Sequence, residues 1–115
     1  MASKRIAQVN ELLRVELGTL LAREIEFPAN CLVTVSKVDT SVDLEHAKIW
    51  IKVYPPEQAK TVLHKLIIHI ADIQSQLNHR LVMRFVPKIA WKLDISEDRA
   101  DRIERLLDQI QKGHG

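Results

Sequence analysis

Cysteine occurs once in 115 residues, glycine three times and proline four times, and aromatic side chains make up only 4% of the chain. A lone Cys31 excludes an internal disulfide, which fits a reducing cytosol. So few glycines and prolines argue against long disordered segments, and no glycine-rich loop is present to cradle a nucleoside triphosphate. Apolar runs such as "KLIIHIADI" stop far short of the roughly 20 residues that a bilayer span needs. The opening "MASKRIAQVNELLRVELGTLLAREIE" lacks the continuous apolar core of a secretory signal. Its Glu11, Glu16, Glu24 and Glu26 are equally wrong for an acid-poor transit peptide. That stretch reads as part of the fold, and the expectation is a cytoplasmic protein with no membrane anchor.

What is present suits one domain over residues 1–115, with 46% hydrophobic and 28% charged residues and a core of its own. Seventeen bases against 15 acids give a net charge of only +2, so the distribution of charge must carry any argument about partners. One acid is conspicuously missing: between Asp72 and Asp94 there is none. Within that gap, "HRLVMRFVPKIAWKLD" alternates. Leu81, Met83, Phe85, Pro87, Ile89, Trp91 and Leu93 fall on one side of an extended chain, and Arg84, Lys88 and Lys92 on the other.

Periodicity sets out the rest. Ile6, Val9, Leu13, Leu17, Leu20 and Leu21 recur at three- and four-residue spacing, predicting a helix from about Lys4 to Ile25 with Ser3 as its N-cap. "FPAN" breaks it. "CLVTVSKV" and "AKIWIKVY", joined by the polar "DTSVDLEH", read as antiparallel strands. In the first, Val33 and Val35 face the aliphatic side and Thr34 and Ser36 the polar one. In the second, Ile49, Ile51 and Val53 oppose Lys48, Trp50, Lys52 and Tyr54. "PPEQ" starts a helix whose stripe, Val62, Leu66, Ile70, Ile73 and Leu77, runs to a left-handed cap at Asn78. The alternating segment follows as a third strand. A last helix is signalled by Ser96, Glu97 and Asp98, passes through Ala100, Ile103, Leu107 and Ile110, and stops at Gly113. The fold class is α+β, with helices on one face of a three-stranded sheet and a C-terminal helix; the other, polar face is left to water or a partner.

No catalytic or metal constellation has useful spacing. His64 and His69 are five residues apart on a helix, roughly 140° around its axis, and read as surface or boundary histidines. Cys31 lacks a local activator and reads as a packing residue. Asp39, Asp43 and Glu45 invite a magnesium site, but acids in a connection between strands usually bond their own backbone. The basic set stands out instead: Lys48 and Lys52 from one strand and Arg84, Lys88 and Lys92 from another share a face, with Arg80 near the helix end. Such cations can meet phosphates while Trp50 and Tyr54 stack on unpaired bases; the plain alternative is a solvated face whose lysine stems cover Trp50. In the first helix only Lys4 and Arg5 are unbalanced by glutamates, and they join the candidate RNA contacts.

In order, "KRIAQVNELLRVELGTLLAREI", "VTVSKVDTSVDLEHAKIWIKV" and "RLVMRFVPKIAWKLDIS" resemble the ribosome-binding factor A family over nearly the whole chain. The most specific parts are Ser-x-Asp-Leu-x-x-Ala at Ser41–Ala47 and Arg-x-x-Pro at Arg84–Pro87, followed by a strand and Asp94. The resemblance implies a type II KH-like fold and binding to the free or precursor small (30S) ribosomal subunit and its 16S rRNA near the 5′ end. It further implies promotion of rRNA maturation and importance in the cold. Neither catalysis, cofactor nor small-molecule substrate is implied, and a monomer is expected. Members of the family usually carry an Ala-x-Gly in the middle of the long helical segment; here His69 and Ala71 occupy those places, so a kink would have to be imposed by packing and a straighter helix is possible. Asp43 is expected to cap a turn and Ala47 to be a small residue beneath a helix. A protein–protein adaptor using the same sheet face is the rival reading, followed by a small hydrolase or nuclease.

Overall fold

Six apolar side chains on one stripe explain why the first helix forms and where it lies. The computed structural model describes residues 3–95, and in it α1 (Lys4–Glu24) buries Ile6, Val9, Leu13, Leu17, Leu20 and Leu21. Ser3 caps it, its hydroxyl oxygen accepting from the Ile6 amide at 3.1 Å. Strands β1 (Leu32–Thr40) and β2 (His46–Tyr54) form an antiparallel hairpin, and a short 3-10 turn (Pro56–Gln58) leads into α2 (Ala59–Arg80). Strand β3 (Lys88–Leu93) then pairs parallel to β2, giving the sheet order β1-β2-β3. One antiparallel and one parallel neighbour about a central strand, with both helices on one side, is the type II KH arrangement. The expected C-terminal helix at 96–113 lies outside the described residues.

Core packing draws on both helices and all three strands. Val35, Val38, Ala47, Ile49, Ile51, Val53, Ile89 and Trp91 from the sheet join Leu13, Leu17, Leu20, Val62, Leu66, Ile73 and Leu77 from the helices in one cluster. Two side chains lock α2 to β3. The Trp91 indole N–H donates to the Leu66 carbonyl at 2.9 Å. The Gln74 amide donates to the Pro87 carbonyl at 3.1 Å and accepts from the Ile89 N–H at 2.9 Å, so it pairs the outer edge of β3 much as another strand would. Through His69 and Ala71 helix α2 runs without a break, which settles a point the sequence leaves open.

Two expectations need correction, and β1 carries a feature beyond the alternation read from its sequence. The third strand is shorter than the alternation predicts: residues 81–87 form an irregular connector, in which Val82 and Phe85 are exposed, so Arg84 lies off the sheet. Strand pairing needs a neighbour, and β2 offers one only from His46 onward, opposite Lys88. Asn78 does not adopt the left-handed cap; α2 continues to Arg80, and the Asn78 side-chain oxygen instead accepts from the Gln74 amide at 3.1 Å. Among the described residues, Asn30 and Leu44 are those with positive φ, at 60° and 63°. In β1, Val33 and Val35 face inward and Thr34 and Ser36 outward as expected, but the alternation slips beyond them. A bulge between Val35 and Lys37 inserts one residue, so that Val38 and Thr40 face the core while Lys37 and Asp39 face out.

Candidate nucleic-acid interface

Register builds the open face of the sheet. In β2, His46, Lys48, Trp50, Lys52 and Tyr54 alternate with buried Ala47, Ile49, Ile51 and Val53; in β3, Lys88, Ala90 and Lys92 alternate with buried Ile89 and Trp91. Cross-strand pairing sets them in rows: Lys37 beside Trp50 beside Lys92, Asp39 beside Lys48 beside Ala90, and His46 beside Lys88. Five lysines, Lys37, Lys48, Lys52, Lys88 and Lys92, therefore share one surface. Neighbouring strands are about 4.8 Å apart, which makes the strip between β1 and β3 about 10 Å wide, while Lys48 and Lys52 are about 13 Å apart along it. A shallow basin of about 470 Å³ at the hairpin end of this face is lined by Asp39, His46, Lys48, Lys88 and Lys92, among others.

Lys37 is the cation that the simple alternation missed. Its signal is nevertheless present in the valines: Val33 and Val35 are two apart, Val35 and Val38 three, which is the parity slip an inserted residue makes. The Lys37 ammonium stands 5.9 Å from the centroid of the Trp50 ring. Trp50 is half-buried beneath its neighbours, and its indole N–H is shielded from solvent with no acceptor among the described residues. Among the described residues, two acids temper the face. Asp39 faces out beside Lys48, and the Asp94 carboxylate accepts a hydrogen bond from Ser36 at 2.6 Å.

The remaining sequence candidates do not join this platform. Arg5 and Arg84 meet elsewhere, lining a second hollow of about 580 Å³ with Asp43, Leu44, Glu45, Met83, Phe85 and Val86. The Arg84 guanidinium lies 5.5 Å from the Phe85 ring. Lys4 is exposed one residue before Arg5, in the first turn of α1. Arg80 belongs to the helical layer, where its Nε donates to Glu16 Oε2 at 2.7 Å and ties the end of α2 to α1. Its expected contribution to the sheet face is thereby corrected: the guanidinium is already engaged with a carboxylate.

The acidic connection is built as a turn. The Ser41 hydroxyl donates to Asp43 Oδ1 at 2.6 Å and accepts from the His46 N–H at 3.0 Å, and Asp43 Oδ1 accepts from the Glu45 N–H at 3.0 Å. Those hydrogen bonds hold the Asp43 carboxyl below its ordinary pKa, the Ser41 bond being the largest cause. Ala47, 1% exposed, packs in the core. Burial raises the pKa of the Cys31 thiol, the wrong direction for a nucleophile. Among the described residues no three His, Cys, Asp or Glu side chains gather closely enough to hold a metal ion, and no described helix is long and apolar enough to cross a membrane.

Comparison with known proteins agrees with this architecture. The family model for ribosome-binding factor A matches residues 5–107. A ribosome-binding factor A of Akkermansia muciniphila is 39% identical over 110 residues, covering 96% of this chain and 87% of that protein. Another, from Thermomicrobium roseum, is 34% identical over 113 residues, covering 97% and 88%. The crystal structure of ribosome-binding factor A from Thermus thermophilus superposes with a TM-score of 0.67 over 76% of this chain and 93% of that one, at 20% identity, and so shares the fold. With a sheet of this topology, a family model that matches residues 5–107 and relatives that cover 96–97% of it, the chain belongs to the ribosome-binding factor A family.

Proposed function

We propose that this protein is a non-catalytic assembly factor that binds the immature small ribosomal subunit through its 16S rRNA, near the 5′ end, and promotes maturation of that RNA in the cytoplasm. Its relatives are named for binding the ribosome. The observation that carries the reading is the convergence of Lys37, Lys48, Lys52, Lys88 and Lys92, from three strands, on one open surface about 10 Å wide. Phosphates dock on the lysines; Trp50 supplies an apolar surface between them. Arg5 and Arg84 form a second, smaller cationic pair at the other hollow, with Lys4 next to Arg5 in the first turn of α1, and Arg80 acts first as a tie between helices.

The mechanism is selection among RNA conformers. A factor that binds one arrangement more tightly than its competitors shifts the population towards it by that difference in affinity. Escape from wrong RNA pairings is activated and slows in the cold, so such a factor matters most at low temperature. The protein acts as a monomeric single domain, needs no cofactor, and leaves cleavage to nucleases.

Crosslinking the purified protein to small-subunit precursors, with both partners mapped, tests this. Joined peptides should come from β2, β3 and the bulge of β1. Crosslinks confined to the outer surfaces of α1 and α2 would displace the sheet face as the docking surface.

A further inference from the structure

The cation over Trp50 and the unpartnered N–H within it raise a question that simple charge does not answer. A solvated lysine rail has no need of a tryptophan at its centre, yet Trp50 sits between Lys37 and Lys92 in the middle row of the face. Its indole N–H is buried and finds no acceptor among the described residues, while Trp91, the other tryptophan, is committed to the Leu66 carbonyl in the core. An unsatisfied buried donor is costly, and polar groups in native proteins are almost always paired. Lys37 covers the ring through a cation–π contact. At an exposed site such a contact is weak, on the order of 0.5–1 kcal/mol, so a phosphate competes for the ammonium with ease.

We infer that Trp50 under Lys37 is the closed state of a site for one unpaired base, and that Lys37 is its cover. On binding, Lys37 leaves the ring for a backbone phosphate, the exposed indole takes a base on its face, and its N–H gains an acceptor on the nucleotide. The inference rests on the sheet-face reading above and adds to it a substrate class: the platform selects single-stranded over duplex RNA. A duplex keeps its bases stacked inside and offers phosphates alone, whereas a single strand offers both. The narrow strip, with lysines on either side of one aromatic, suits the second.

The full chain, titrated with a single-stranded oligouridylate of about ten nucleotides and with a duplex RNA of equal length, tests this. Binding is read by anisotropy of labelled RNA and, separately, by tryptophan fluorescence. The expected result is quenching by oligouridylate that Trp50→Phe, with only the core Trp91 left, reduces to the level seen with duplex. Trp50→Ala should lose about 5- to 150-fold in affinity for oligouridylate, the range set by stacking one base, and lose less for duplex. Lys37→Ala should make the free protein more sensitive to acrylamide quenching and lower the salt slope by about 0.7, one single-strand phosphate. Oligouridylate that binds without moving the fluorescence, and as tightly to Trp50→Ala, overturns the base site but leaves the lysine platform standing. Binding of either RNA that survives charge reversal at both Lys52 and Lys88 overturns the platform itself. Failure of oligouridylate to bind while duplex does overturns the selectivity.

Discussion

Ser36 and Asp94, far apart in sequence, meet across the central strand: the Ser36 hydroxyl donates to Asp94 Oδ2 at 2.6 Å and lies 3.2 Å from the Trp50 carbonyl. Ser36 is the residue that the bulge inserts in β1, and Asp94 follows β3, its N–H donating to the Ile51 carbonyl at 2.7 Å. The contact fastens the two outer strands to each other over β2. It also sets a negative charge on a surface otherwise dominated by lysine.

Asp94→Asn separates these two effects. The amide oxygen still accepts from Ser36, but without charge assistance, so stability should fall by about 0.5–1.5 kcal/mol in denaturant melts. RNA affinity at low salt should rise about twofold, the size of one unit charge removed from about 8 Å in water. Weaker binding would show that the carboxylate orients the RNA rather than repelling it.

Charge reversal at Lys52 or Lys88 should weaken RNA binding and flatten its salt dependence. With five phosphates neutralised, the unmodified protein should lose about a hundredfold in affinity between 50 and 200 mM salt. Thermal midpoints should stay within a few degrees, because both side chains are exposed. A variant that binds normally with an unchanged slope would remove that lysine from the interface.

Arg80→Ala should behave in the opposite way. Its ion pair with Glu16 is partly exposed, with side-chain exposures of 37% and 24%, so its loss should cost about 0.2–1 kcal/mol of stability. RNA affinity should change less than twofold, as measured by anisotropy against Lys88→Glu. A larger drop in affinity would return Arg80 to the RNA contacts.

The Ser41–Asp43 turn should loosen in acid. Because the folded-state pKa of Asp43 is depressed, its contribution is fully present above the ordinary aspartate value of 3.8 and is lost as pH falls through the lowered folded value. Hydrogen exchange at the Glu45 amide, corrected for the intrinsic rate, should quicken in that window. In Asp43→Asn the step should vanish.

Much of this was legible in the residues because burial enforces alternation. The apolar stripes of α1 and α2 and the facing of β2 follow directly from spacing, and so does the shared face of Lys48, Lys52, Lys88 and Lys92. Where the reading failed, a tertiary partner decided. The alternation of residues 81–87 fits a strand, but no neighbouring strand reaches them, and Gln74 takes over the edge at Pro87 and Ile89 instead. Asn78 has the chemistry of a helix cap, yet Leu81 packs into the core and draws the helix on to Arg80. Arg80 looked free because its partner, Glu16, lies on another helix. The parity slip in the valines of β1 was visible, but only pairing with β2 assigns the extra residue to Ser36 and turns Lys37 outward.

The unbroken course of α2 bears on how the molecule can adapt. A helix of 22 residues is about 33 Å long, and this one holds β3 at two separate points, through Leu66 to Trp91 and through Gln74 to Pro87 and Ile89. With no glycine between those anchors to serve as a joint, helix and strand must travel together as a single plank. Accommodation to a partner then falls to the connector at 81–87 and to the long lysine side chains, which can reorganise while the frame beneath them stays still.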